Sequence, residues 1–182
     1  MARRRILTPA QRRALLALPV DRAEAARHCT LTEAELAATN RRRGGRNRLG
    51  FALQLCALRY PGRLLHPGEG LPQAMVAFVA EQIGVAPGAL GGYAFRSSTK
   101  YEHSAALQDL LGWRPFEGRP RWEIEGWLDQ ASLTARTGAE LGVGFRDELR
   151  RRKIIVPGIT TVERLCAAAL TPPAASGRSL HG

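Results

Sequence analysis

Apolar residues recur three or four positions apart along most of this chain, the spacing of one face of a helix. The pattern is densest between Leu49 and Tyr60. Leu49, Leu53, Cys56 and Tyr60 share one stripe there, and Phe51, Leu55 and Leu58 fill another. A helix that is apolar all round is normally buried, so this segment is expected at the centre of the fold. The run Ile154-Ile155-Val156-Pro157 is too short to establish a sheet. The fold class that follows is all-α: a compact multi-helix domain with helix-turn-helix-like units, which two small helical sub-domains would also satisfy.

Local signals place the other helices. Thr8-Pro9 predicts an N-cap and a first helical position, with Leu15, Leu16 and Leu18 apolar and Pro19 as the stop. Asp21 caps a second helix, DRAEAARHC. After the turn at Thr30-Leu31, Thr32 and Glu35 form a capping box for a third helix that runs to about Arg43. Two helices joined by a short turn have the shape of a helix-turn-helix. Gly44-Gly45 supplies a stop, and Asn47 is expected to cap the central helix. Tyr60-Pro61-Gly62-Arg63 breaks that helix into a turn. The loop Pro67 to Pro72 predicts a boundary between a basic sub-domain, residues 1–67, and a second helical sub-domain, residues 68–170.

Beyond the loop, Pro72 opens a helix striped by Met75, Phe78, Val79 and Ile83 and stopped by Gly84. A short helical turn follows at Pro87 to Leu90, then a sixth helix from Ser97 or Ser98. A seventh spans Arg121 to Ala131 with Trp122, Ile124, Trp127 and Leu128 as its apolar side, the tryptophans read as core in preference to base-stacking platforms. An eighth spans Ala139 to Lys153. Thr160 and Glu163 read as a capping box for a last helix ending near Leu170. The remainder, residues 171–182, is rich in Pro, Ala, Ser and Gly and is expected to be disordered.

Charge then changes the picture. The chain of 182 residues has 27 Lys+Arg against 16 Asp+Glu. Residues 1–67 hold 14 basic and 4 acidic residues, net +10, and the rest hold 13 and 12, net +1. Such a concentrated excess is an electrostatic footprint for phosphates. Only Lys100 and Lys153 are lysines; arginine suits bidentate phosphate and guanine contacts, although a GC-rich genome gives the same bias. The candidate DNA-binding residues are Asn40, Arg41, Arg42, Arg43, Arg46, Asn47, Arg48, Arg59 and Arg63, with Arg96 and Lys100 as a second contact. The end of the central helix that carries Arg46 and Arg48 is the foremost of these, because helix N-terminal amides already favour a phosphate. Asn40 and Asn47 are the candidates for reading adenine. The competing readings are that Arg41 to Arg43 only cap a helix C-terminus, that Arg48 pairs with Glu33 or Glu35, and that Lys100 lies on a solvated face beside Glu102. Arg3, Arg4 and Arg5 form a basic arm, either a solvated terminus or a phosphate or minor-groove contact.

Little else announces chemistry. There is no P-loop, GxSxG or HExxH, and the carboxylates form no cluster that specifies magnesium. No cofactor is implied. Cys29, Cys56 and Cys166 make no disulfide framework, which fits a reducing compartment, and their spacing with His28, His66 and His103 matches no common zinc site. The longest apolar segment is broken by Gln54 and too short to span a bilayer. A cytoplasmic protein without a membrane partner is expected.

The stretch RRRGGRNRLGFALQLCALRYPGR, Arg41 to Arg63, resembles the signature of the N-terminal domain of replicative bacterial transposases of the Tn-three family. The resemblance extends through LTPAQRRALLALP, RHCTLTEAEL, AFVAEQIG, YEHSAALQDLLGWRPF and ELRRRKIIVPGITTVERLC, in the family's order. It implies a domain that binds double-stranded DNA at the transposon's terminal inverted repeats, with full-length transposase subunits as further partners. The family's RNase H-like catalytic domain lies further along a much longer chain, so the resemblance implies no catalytic residue here. Composition alone also admits a structured RNA-binding protein or a module that docks an acidic protein.

Overall fold

The computed structural model describes residues 6–66, 68–91 and 97–171, with the side chains of 97–103 outside that description. Arg3 to Arg5, Arg96, the Lys100 side chain and the tail from 172 onward therefore lie outside the described residues. Those described form an all-α domain without a strand. Its helices are α1 (Pro9–Leu15), α2 (Arg22–Cys29), α3 (Glu33–Asn40), α4 (Gly45–Arg59), α5 (Gln73–Gln82), α6 (Ser97–Leu111), α7 (Gly118–Ser132), α8 (Gly138–Arg151) and α9 (Ile159–Ala169). A 3₁₀ turn, Pro87–Leu90, stands between α5 and α6.

α4 is the axis of the larger core. Every residue from Leu49 to Leu58 is buried, including Gln54. A polar side chain there is tolerated because its Oε1 accepts the Leu65 amide at 3.0 Å. Leu18, Leu31, Met75, Val79, Leu107 and Trp113 close around α4, so α2 to α6 share this core. A second core joins Leu7, Leu15 and Leu16 of the α1 region to Ile124, Leu128, Phe145, Leu149, Val162 and Cys166 of α7, α8 and α9. Chain order and core membership thus part company, since α1 packs with the last three helices.

Among the described residues, side-chain caps start four helices, α1, α2, α3 and α8. Thr8 with Gln11 and Thr32 with Glu35 form complete capping boxes, and Asp21 accepts the Glu24 amide. Each such cap is worth about 1 kcal/mol. Two expected caps are absent. The N-cap of α4 is Gly44, at φ +79°, and Asn47 sits inside the first turn. The N-cap of α9 is Gly158. Thr160 and Glu163 instead hold Arg12 of α1, whose guanidinium donates to both side chains. Trp122 also departs from expectation. It is 76% exposed on α7, while Trp113 is buried and Trp127 half-buried. The helix turns Ile124 and Leu128, four apart, toward the core, and position 122 falls off that stripe.

The turn after α4 ties the two cores together. His28 of α2 stacks on Tyr60 at 3.9 Å between ring centroids. The Arg150 and Arg146 guanidiniums of α8 lie over the same ring, at 4.9 and 5.6 Å. Arg150 donates through Nε to the Arg59 carbonyl, and the Val156 amide donates to the Gly62 carbonyl at 2.8 Å. Burial, then the charge of Arg150, Arg27 and Arg146, holds the His28 imidazole below its ordinary 6.5, with Glu24 opposing. The folded state thus favours neutral His28 and binds fewer protons there than the unfolded chain. Stability from this residue is present above pH 6.5 and falls as pH drops below it. Urea titrations from pH 8 to pH 5 should show that loss, and His28→Gln should flatten it. An equally steep profile in the variant would assign the dependence elsewhere.

Candidate nucleic-acid interface

The connection between α3 and α4 is short and built by backbone. The Arg41 and Arg42 amides return to the Ala37 and Thr39 carbonyls as α3 ends at Asn40, three residues before its expected stop. Gly44 then takes a positive φ and starts α4 with no side-chain cap. The first-turn amides of a 15-residue helix are left without a capping side chain, the end where the helix dipole favours an anion. Gly45 is closely approached. A Cβ there would come within 3.1 Å of Val85 Cγ1, so α4 begins pressed against the segment that leads into the Pro87–Leu90 turn.

This corner sorts the arginines. Arg41, Arg43 and Arg46 are exposed. Arg46 makes only a long contact to the Gly91 carbonyl, 3.4 Å, and no side-chain ion pair joins Arg41 or Arg43 among the described residues. Arg42 folds back, its guanidinium 4.4 Å from the centroid of the Phe51 ring. Arg48 does not pair with Glu33 or Glu35. It donates to Asn40 Oδ1 at 3.3 Å, which leaves the exposed Asn40 amide nitrogen facing no described partner. The half-buried Asn47 uses its amide nitrogen on the Arg43 carbonyl at 3.0 Å, bracing the corner.

Arg59 and Arg63 are turned inward. Arg59 grips both oxygens of the buried Glu35 at 2.7 Å and donates to the carbonyls of His28 and Thr30. It thereby clamps the turn between α2 and α3 onto α4. Arg63 donates to the Leu16 and Leu64 carbonyls and to Glu69. A guanidinium with five donors satisfies several carbonyls at once, and here that capacity is spent within the fold. The basic run at the end of α8 is similarly engaged. Arg151 and Arg152 both reach Glu148, and Lys153 donates to the Leu111 carbonyl. The hydrogen bond from Arg151 leads in holding the Glu148 carboxyl below its usual range.

α2 and α3 follow one another across the turn at Thr30-Leu31, but α2 packs chiefly on α5 and α3 on α4. Gln82 of α5 serves the turn, donating to the Cys29 carbonyl and accepting the Leu31 amide. α3 exposes Glu33, Ala34, Ala37 and Asn40. Positions 34, 37 and 41 lie on one helical face, with short side chains until Arg41. α4 offers no such face, because its middle is buried all round. Of the two helices that meet at the corner, α3 keeps an exposed face, and the cations of the corner flank its C-terminal end.

The model of a domain of unknown function, DUF4158, matches residues 6–169. The transposase for transposon Tn3926 of Escherichia coli is 37% identical over 171 residues, 94% of this chain and 17% of that protein. The transposase for transposon Tn21, also of Escherichia coli, has the same identity and coverage. The transposase for transposon Tn501 of Pseudomonas aeruginosa is 34% identical over 170 residues, 93% of this chain and 17% of the relative. The chain thus spans about a sixth of the length of these relatives.

Proposed function

Given that the chain belongs to the DUF4158 family and is homologous to the N-terminal part of Tn-three-family transposases, we propose that it binds double-stranded DNA and recognises transposon terminal inverted repeats. The observation that carries this reading is the α3–α4 corner. It presents three exposed arginines around an uncapped helix start, beside a helix with a free face. In this reading Arg41, Arg43 and Arg46 bind phosphates and set the register. α3 lies in the major groove, where the Asn40 amide reads adenine. Arg42, Asn47 and Arg48 brace that corner, while Arg59 ties the α2–α3 turn to the far end of α4 and Arg63 binds Leu16, Leu64 and Glu69. Strand transfer belongs to other parts of a longer transposase, whose subunits are the protein partners, and the chain acts in the cytoplasm on nucleoid DNA. No helix among the described residues is long and apolar enough to cross a membrane.

The deciding experiment is a salt titration of binding to the terminal inverted repeat and to a scrambled duplex of equal length, with duplex RNA as competitor. Specific complexes typically exceed non-specific ones by about a thousandfold or more. Preference for the repeat is expected, with log K falling linearly against log salt. Equal, steep binding to both duplexes would reduce the site to a backbone clamp. Preference for RNA, or no binding to any of them, would overturn the reading.

A further inference from the structure

We propose that α7 is a self-association surface, on which a second copy of this chain lays its own α7 antiparallel in a two-fold symmetric pair. The inference does not depend on DNA binding. α7 turns Ile124 and Leu128 into the second core and leaves its opposite side exposed. That side carries Arg119, Trp122, Gly126, Asp129 and Leu133, all exposed and spaced three and four apart in turn. This is the spacing of the seam along which two helices pack. Trp122 is 76% and Leu133 78% exposed.

The fold itself does not account for two of these residues. Glycine weakens a helix interior, yet a Cβ at Gly126 would meet nothing within 4 Å. Trp122, one turn earlier, is the most exposed of the three tryptophans. A large ring and a bare stretch of backbone are the two halves of a knob-in-hole contact. Both point outward from one helix, so they can meet only across two.

The stripe is complementary to itself when reversed. Trp122 and Gly126 lie two positions on either side of residue 124, and Arg119 and Asp129 lie five positions on either side. A two-fold axis level with residue 124 therefore sets each Trp122 over Gly126 of the other copy. The same axis sets each Arg119 beside Asp129 of the other copy, the isologous pattern of a symmetric dimer. Arg119 gives its Nε to Glu123 at 2.7 Å within its own helix and keeps its remaining N–H groups for a second carboxylate. The Asp129 carboxylate has no ion pair among the described residues. Charge also selects this face. Residues 1–67 carry net +10 and repel a second copy, whereas α7 carries two arginines against three carboxylates, net −1.

Sedimentation equilibrium of the full chain without DNA, at physiological salt and rising concentration, tests this. The wild type should pass from monomer to dimer with a midpoint above about 1 µM, because one helix pair buries little area. Its tryptophan emission should shift to the blue as Trp122 is covered. Trp122→Ala should raise the dissociation constant at least about tenfold, as loss of a central aromatic anchor does. Gly126→Leu should do the same while raising the thermal midpoint, since leucine is the better helix former. Loss of the dimer is then not loss of the fold. Arg119→Glu and Asp129→Lys should each dimerise poorly alone, yet associate when mixed, because both charge contacts across the mixed pair become attractive. A wild type that stays monomeric up to about 1 mM overturns the proposal and leaves the stripe to a different chain. A dimer that Trp122→Ala and Gly126→Leu do not weaken, or charge variants that gain nothing on mixing, overturns it as well.

Discussion

Gly62→Ala should lower the unfolding free energy by about 3 kcal/mol, combining roughly 1–2 for a left-handed backbone with roughly 1–3 for overpacking. Gly62 has φ +100°, and a Cβ there would come within 2.6 Å of Arg150 Cγ and 2.9 Å of Val156 Cγ2. Neither neighbour can step aside cheaply. Arg150 is tied to the Arg59 carbonyl and lies over Tyr60, and the Val156 amide is bonded to Gly62 itself. Gly44 is the control. It also has a positive φ, +79°, but a Cβ there meets nothing within 4 Å. Gly44→Ala should therefore cost only the backbone part, about 1–3 kcal/mol for its φ +79°, ψ +147°. Urea unfolding of both variants at one pH measures the difference. Equal losses would show that the contact with α8 carries no weight.

Replacing Arg41, Arg43 and Arg46 together with alanine should weaken DNA binding roughly a hundredfold near physiological salt. It should also make the slope of log K against log salt shallower by about 2.7, at about 0.9 per phosphate contact. The loss should be similar for the inverted repeat and the scrambled duplex, because phosphate contacts carry no sequence information. Asn40→Ala should behave in the opposite way, eroding preference for the repeat by about 1–3 kcal/mol with little change in slope. The arginines are exposed and without side-chain ion pairs, so the triple variant should keep its urea midpoint. A triple variant that binds with unchanged slope would remove the corner from the interface.

Much of the fold could be read from local sequence. Thr8-Pro9, Asp21, Thr32 with Glu35, and Gly84 mark helix ends through interactions spanning a few residues, and those marks stand where expected. α4 was legible because a helix apolar all round has no other stable place. The failures share a cause. Thr160 and Glu163 have the spacing of a capping box, but α1 supplies an arginine that takes both side chains. Arg59 and Arg63 are as basic as Arg41 and Arg43. Whether a guanidinium points outward or binds a carbonyl is decided by partners such as Leu16, 47 positions away. Gly44-Gly45 reads as a stop, and the same two residues also begin the next helix. The inward arginines therefore had no local signal that set them apart from the run 41–46.

The pairing of α1 with α9 also sets an order of assembly during synthesis. α1 leaves the ribosome well before its partner, since Glu163, which receives Arg12, lies 151 positions later. Until α7, α8 and α9 have emerged, Leu7, Leu15 and Leu16 have no core to enter. The α2–α6 body, with α4 inside it and the α3–α4 corner on its surface, has all its own core residues by Trp113. It can close first, in the order in which domains generally fold during synthesis. α1 then waits as an unpaired amphipathic helix until α7, α8 and α9 emerge. Ribosome-bound chains halted between α6 and α9 would expose that helix to chaperones and proteases, although the body behind it was already folded.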